Sequence, residues 1–241
     1  MLTKELTFST QVNGVELILC LFGAPETLRF GKDQERNGAN IRQVRKVEYM
    51  SLRRIDPTPL SAYEFIQPLT MAARPAVLVA AAAYSMSFLF CSVMFTVEMP
   101  QLLQEKYHLN AQQLGLQFLG LIIGTILGEQ LGGISSDVWM RRRHTRTGQK
   151  PDPEYRLWLS YIGFVLTLIG IIVYLVCAQD SPHGHWSILP VAGSGIAGFG
   201  NQVITTVLVT YAVDCYPKES AGVGVFITFV RQTWGFIGPF W

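Results

Sequence analysis

The sequence is short of charge. Asp, Glu, Lys and Arg make up 15% of its 241 residues, against about a quarter in ordinary soluble domains. That deficit argues against a soluble globular fold. The net charge of +2 is too small for a nucleic-acid binder, and Asp33, Glu35, Glu48, Asp56, Asp152 and Glu154 interrupt its basic segments, so nucleic acid is not an expected partner. The cysteines, Cys20, Cys91, Cys177 and Cys215, lie far apart without a C-x-x-C pair, which leaves zinc-finger and thioredoxin-type chemistry without support. Most sit in apolar runs, where cysteine behaves as a small hydrophobe. There is no N-x-Ser/Thr sequon. No paired carboxylates stand out, nor a nucleophile beside a base. His183 and His185 flank a glycine in a short polar segment and read as solvent-exposed. No metal, no cofactor and no enzymatic reaction is expected.

What is abundant is long apolar sequence. A bilayer core needs about 20 mainly apolar residues in a helix. Residues 75–99, 112–136, 157–178, 187–213 and 221–241 each supply such a run, with Glu98, Glu129 and Arg231 as their few charges. Five runs of this kind exceed what a soluble core holds. A sixth, within residues 1–25, is weaker: it carries Gln11, Asn13 and Glu16, and it lacks the basic leader and small-x-small site of a signal peptide. It reads as a weak or trimmed transmembrane span. The expected fold is therefore an all-α integral membrane protein, a polytopic helical bundle over 75–241 with the lipid bilayer as its solvent.

The cations cluster in two loops. Residues 26–74 hold Arg29, Lys32, Arg36, Arg42, Arg45, Lys46, Arg53, Arg54 and Arg74; residues 138–156 hold Arg141, Arg142, Arg143, Arg146, Lys150 and Arg156. The alternate loops are nearly free of them. Cationic loops stay cytoplasmic, and two intervening spans put both on the same side. Residues 26–74 then form a cytoplasmic basic linker. Within it, Thr58 and Pro59 can start a short interfacial helix, with Leu60, Tyr63, Phe65 and Ile66 toward the membrane and Arg53 and Arg54 toward lipid phosphate.

Two patterns share the run from Leu114 onward. Gly120, Gly124, Gly128 and Gly132 recur every four residues. Three overlapping GxxxG motifs on one face suit close helix packing, because small residues let backbones approach; glycine also loosens a helix, so hinging is the other reading. Gln113 and Gln117 continue this face. Beside it run Glu129, Gly133, Asp137 and Arg141. Asp137 and Arg141 can pair across one turn, or the acid can meet a neighbouring helix N-terminus. A plain positive-inside anchor explains the arginines but not an acid at the junction.

Gly133-x-x-x-Asp137-x-x-x-Arg141-Arg142 resembles the signature loop of the major facilitator superfamily of secondary transporters. That loop joins the second and third helices and recurs, degraded, between the eighth and ninth. Val138 and Met140 stand where the family has a basic residue and a glycine, which suits the degenerate copy. PETL at Pro25 to Leu28 resembles the cytoplasmic end of helix six in fungal members, and YAVDCYPKESAG at Tyr211 to Gly222 resembles the turn between helices ten and eleven. The resemblance covers nearly the whole chain. It implies a carboxyl-terminal half, from about helix six to helix eleven, with the amino-terminal half of the transporter as missing partner. The chain stops at Gly238, Pro239, Phe240 and Trp241, inside an apolar run, so a fragment is expected.

Polar residues inside the spans are the candidates for a solute or proton path, since charge in a membrane usually faces a partner or water. Glu129 lies two turns inside Asp137, about 12 Å, and Arg231 about 15 Å inside Ala221. Similar depth makes them an expected ion pair, with Glu129 as a proton carrier the competing reading. Asn201 and Gln202 sit among Gly195, Gly198 and Gly200, where a helix can open its carbonyls as in transporter binding sites; interhelical hydrogen bonding is as good a reading. Gln117 is a further candidate, and Tyr84, Phe88, Trp234 and Phe236 are candidates to line a cavity. The resemblance implies transmembrane transport of a small solute by alternating access, with protons as a candidate second cargo. The alternative is a membrane-embedded fragment or subunit without transport of its own.

Overall fold

The computed structural model describes residues 14–15, 62–149, 151–181 and 186–240. The chain divides into two units, Met1–Pro59 and Leu60–Trp241. Apart from Gly14 and Val15, which are helical, every described residue belongs to the second. Those two residues aside, the expected span over 1–25, the PETL segment and the linker up to residue 61 lie outside the described residues, as do the side chains of Tyr63 and Phe65, and His183 and His185.

The described residues are helical and contain no strand. A short helix, α1 (Ala62–Thr70), leads through a 3-10 turn into α2 (Pro75–Phe88). A π-helical turn, Leu89–Val93, joins α2 to α3 (Met94–Tyr107), making one rod. Then come α4 (Ala111–Thr147), α5 (Leu157–Asp180), α6 (Leu189–Cys215) and α7 (Ser220–Ile237). Four of these rods, Pro75–Tyr107, Ala111–Thr147, Pro153–Asp180 and Leu189–Cys215, are long and apolar enough to cross a membrane. The last apolar run forms the 18-residue α7 followed by a 3-10 turn at Gly238–Phe240.

Local chemistry sets the ends. Pro75 begins α2 behind an extended Arg74, where proline's fixed φ suits a helix start and its missing N–H costs nothing. His108 adopts φ 54° after α3, and Gly148 adopts φ 67° after α4; glycine takes that left-handed conformation without strain. At the start of α4 the Asn110 N–H donates to Gln113 Oε1 at 3.0 Å, satisfying one of the free donors of a helix N-terminus. The Lys106 ammonium donates to the carbonyls of Ala178 and Gln179, which closes the C-terminal end of α5.

Helix α6 is the centre and packs against α5, α4, α2 and α7. One core joins α2, α6 and α7 through Val77, Ala81, Ile204, Leu208, Val223 and Phe226; another joins α3, α5 and α6 through Cys91, Phe95, Met99, Tyr174 and Ala197. The outer faces of α4 and α5 are apolar and exposed, with Ile123, Ile126, Leu131, Ile162, Leu168 and Ile172 among them. Such a skin is unstable in water and suited to lipid.

Glycine is what lets α6 sit so close to its neighbours. A methyl at Gly128 would lie 2.5 Å from the Phe199 carbonyl oxygen; Gly120 and Gly124 meet the carbonyls of Val191 and Gly195 in the same way, and Gly132 meets Val203 less tightly, at 3.2 Å. The partners also recur every four residues, so α4 and α6 run parallel in a continuous close contact. On the opposite side Gly163, Gly170, Gly193 and Gly200 bring α5 and α6 together.

Candidate functional site

Most hydroxyls of the apolar helices are satisfied at home. Thr205, Thr206 and Thr210 donate to the carbonyls of Asn201, Gln202 and Thr206, four residues back, at 2.8, 3.0 and 2.6 Å. Such back-bonds hide polarity from lipid. The groups that reach across helices instead are few, and they mark the site.

One set lies at mid-depth. Ser87 on α2 donates to Asn201 Oδ1 on α6 at 2.9 Å, with both residues buried. One turn along α2, the Tyr84 hydroxyl accepts from Arg231 Nη1 on α7 at 3.1 Å. The guanidinium also lies 4.8 Å from the Phe88 ring centroid and 6.0 Å from that of Tyr84. Tyr84 is buried, at 5% exposed, and it holds the arginine from inside the core. Arg231 Nε is buried without a hydrogen-bond partner. Placing arginine at the centre of a membrane helix costs about 2.5–3.5 kcal/mol on insertion scales, whereas cation–π contact contributes about 0.5–2 kcal/mol. The neutral partners offset part of the cost. The π turn begins one residue after Phe88, and such bulges often accompany functional sites.

A second set gathers at one end of the bundle. The turn between α6 and α7 receives two arginines. Arg156, at the start of α5, lies 3.3 Å from Asp214 Oδ2 and 3.9 Å from Asp137 Oδ1, and donates to Ser136 Oγ at 3.0 Å. Arg74, at the start of α2, donates to both Glu219 carboxylate oxygens at 3.2 and 3.0 Å and lies over the Tyr216 ring at 4.5 Å. Arg156 is 11% exposed at its side chain, while Asp137 is 81% exposed; the Asp214 contact is therefore the stronger of its two. These pairs tie the starts of α2 and α5 to the junction of α6 and α7, and Arg156 links that junction to Ser136 and Asp137 on α4.

The family model described as Major Facilitator Superfamily matches residues 11–239. The chain belongs to the major facilitator superfamily. Among similar proteins, the MFS-type transporter penM of Penicillium rubens is 28% identical over 76% of this chain and 35% of its own length. The efflux pump atB of Aspergillus terreus is 31% identical over 60% of this chain and 32% of its own length. The MFS-type transporter hepF of Aspergillus oryzae is 31% identical over 56% of this chain and 27% of its own length. The chain thus spans about a third of the length of the curated relatives it matches. No solved structure matches. With several helices able to span a bilayer, this superfamily member is a multi-pass integral membrane protein.

The structure rearranges several of the residues singled out in the sequence. Glu129 and Arg231 are not a pair: Arg231 is held by Tyr84 and Phe88, and Glu129 is exposed on α4 without an ion pair among the described residues. Equal depth fixes one coordinate along a helix and leaves its azimuth free. Asp137 faces Arg156 rather than Arg141, because the start of α5 lies beside it while Arg141 continues outward along α4. Arg141 and Arg142 are exposed, and Gly133 has open space beyond its Cα. Gln117 is spoken for: it accepts from Trp186 Nε1 at 3.1 Å and donates to the Gln113 carbonyl at 3.0 Å. Asn201 belongs to the mid-depth set, while Gln202 lies against Gly128 at the α4 contact. Trp234 and Phe236 share α7 with Arg231, and Phe236 is exposed against Phe240. Among the described residues no group of His, Cys, Asp and Glu is arranged to hold a metal ion. The sequence alone does not mark Ser87, Arg74, Arg156, Asp214 and Glu219 as site residues; the signal for the last four is a charge near each helix end.

Proposed function

We propose that the chain is the carboxyl-terminal half, about helix six to helix eleven, of a transporter that moves a small solute by alternating access. The observation that carries the reading is the mid-depth set, in which α2, α6 and α7 bring Tyr84, Ser87, Asn201 and Arg231 to one level. Polar groups at membrane depth are costly, and in a transporter they pair with a neighbouring helix or line a path. The charged tie at Asp214–Glu219 is suited to hold one end of the bundle shut and to release it when the helices rock. Names of relatives such as efflux pump atB favour outward movement. The missing amino-terminal half supplies the other wall of the path. Glu129, exposed and without an ion pair among the described residues, is the proton carrier in this reading. The basic loops 26–74 and 138–156 face the cytoplasm.

Reconstitution tests this. Purified chain, alone and co-expressed with the amino-terminal half of a family member, is placed in liposomes and the flux of labelled solutes is followed. Flux that is lost in Asn201→Leu and Ser87→Ala supports the reading. A folded, inserted chain that moves nothing in either setting would leave it a membrane-embedded subunit without transport of its own.

A further inference from the structure

The geometry points to an anion-binding site at Arg231 that takes an acidic group carried on an apolar body, such as an organic carboxylate or sulfonate. This rests on the reading of the chain as a transporter domain and names its substrate class.

Charge balance is the first argument. Arg231 stands in α7 eleven residues past Ser220, about 16 Å along the helix. Among the described residues its polar and ring contacts are neutral: the Tyr84 hydroxyl and the rings of Tyr84 and Phe88. The ion pairs among the described residues are Arg74–Glu219, Arg156–Asp137 and Arg156–Asp214, all at the end of the bundle. The guanidinium is the one basic group at mid-depth among the described residues, and its positive charge there is uncompensated.

Directionality is the second argument. Arginine presents five N–H donors in a planar fork that matches a carboxylate or sulfonate. One donor goes to Tyr84, and Nε is buried with no partner. Tyr84 accepts from Arg231 and so keeps its own hydroxyl proton for a further acceptor. The fork has donors and no acceptor, and the phenol oxygen that could accept is engaged by the fork itself, which favours an anion over a cation. The surroundings select the rest of the ligand. Phe88 lies under the guanidinium, and Gly235, one turn on along α7, faces Phe88 and Val93. Walls of this kind favour an apolar body over a small hydrated ion such as chloride.

Equilibrium dialysis of the purified full chain in detergent micelles tests the site, with empty micelles subtracted. The probes are 2-naphthalenesulfonate, ionised at all working pH, and 2-naphthalenesulfonamide, which has a similar shape and no charge. Saturable sulfonate binding is expected, at least tenfold tighter than that of the sulfonamide and at least tenfold weaker in Arg231→Gln. Arg231→Lys, which keeps the charge and loses the fork, should fall between. The comparison of the two probes on the unaltered chain stands even if a variant fails to fold. Equal binding of both probes, undiminished binding in a folded Arg231→Gln, or no saturable sulfonate binding would each overturn the site. Flux of a neutral or cationic solute that ignores Arg231 would remove the anion and keep the transporter. Sulfonate binding by a chain that moves no solute in either reconstitution would keep the site and remove the transporter.

Discussion

At the scale of single residues, membrane depth gives polar side chains their weight. Arg231 is conspicuous in the sequence because it interrupts an apolar run, and Asn201 because it sits among glycines. Their partners are not conspicuous. Ser87 and Tyr84 are ordinary residues for a membrane helix until α6 and α7 are placed against α2. The Glu129–Arg231 pair illustrates the limit: hydropathy reports depth, and the rotation of each helix about its axis is settled by packing. A double-mutant cycle checks the corrected arrangement. With no contact between them, Glu129→Gln and Arg231→Gln should be additive in thermal stability to within about 0.3–0.5 kcal/mol. A rescue of several kcal/mol in the double variant would restore the pair. Tyr84→Phe removes the hydroxyl that holds Arg231 among the described residues, and should cost about 1.5–3 kcal/mol, the range for hydrogen bonds to charged groups.

At the scale of helices, the bundle depends on where side chains are missing. The apolar runs and the fourfold glycine spacing are legible in the sequence, since both are periodic and local, and the all-α membrane fold follows from them. The partner of the stripe is not legible: α5 and α6 carry glycines too. In the structure Gly128 faces the Phe199 backbone, while Gly133 has nothing within 4 Å of an added methyl. The two positions are five residues apart on one helix, so they share a helix-propensity effect and differ in contact. Gly128→Ala should destabilise by about 1–3 kcal/mol, the range for overpacking. Gly133→Ala should be neutral or stabilising by up to about 1 kcal/mol, the gain of alanine over glycine in a helix interior. Thermal unfolding in detergent compares them; equal losses at both sites would mean that the stripe has no packing role.

At the scale of the whole molecule, the charges lie where they can hold an end of the bundle rather than its middle. Arg74 closes the basic linker and Arg156 closes the basic loop, and both reach the turn that carries Asp214 and Glu219. The positive-inside pattern made these loops visible as anchors; that two of their arginines turn inward to one short segment is a tertiary fact, invisible to a charge count. Arg74 and Glu219 are partly exposed, at 40% and 32%, and Arg156, itself 11% exposed, meets an Asp214 that is 40% exposed, so each pair is open to solvent on at least one side and is worth about 1 kcal/mol or less. That size suits a tie that opens in every cycle: a stronger pair would lock the bundle, and a pair worth nothing would not hold it. Cys215 sits within this turn, half-buried, and serves as a reporter. With Cys20, Cys91 and Cys177 replaced by alanine, its rate of alkylation by a maleimide measures how often the turn opens. Arg74→Gln and Arg156→Gln should each raise that rate by up to about fivefold, the factor corresponding to 1 kcal/mol. The double variant should approach the product of the two, because the arginines hold different acids and share no partner. Arg74→Glu combined with Glu219→Arg should bring the rate back toward that of the parent. If the rate in both single variants matches the parent, Asp214–Glu219 is anchored by its apolar packing alone, and the arginines are topological anchors rather than a moving tie.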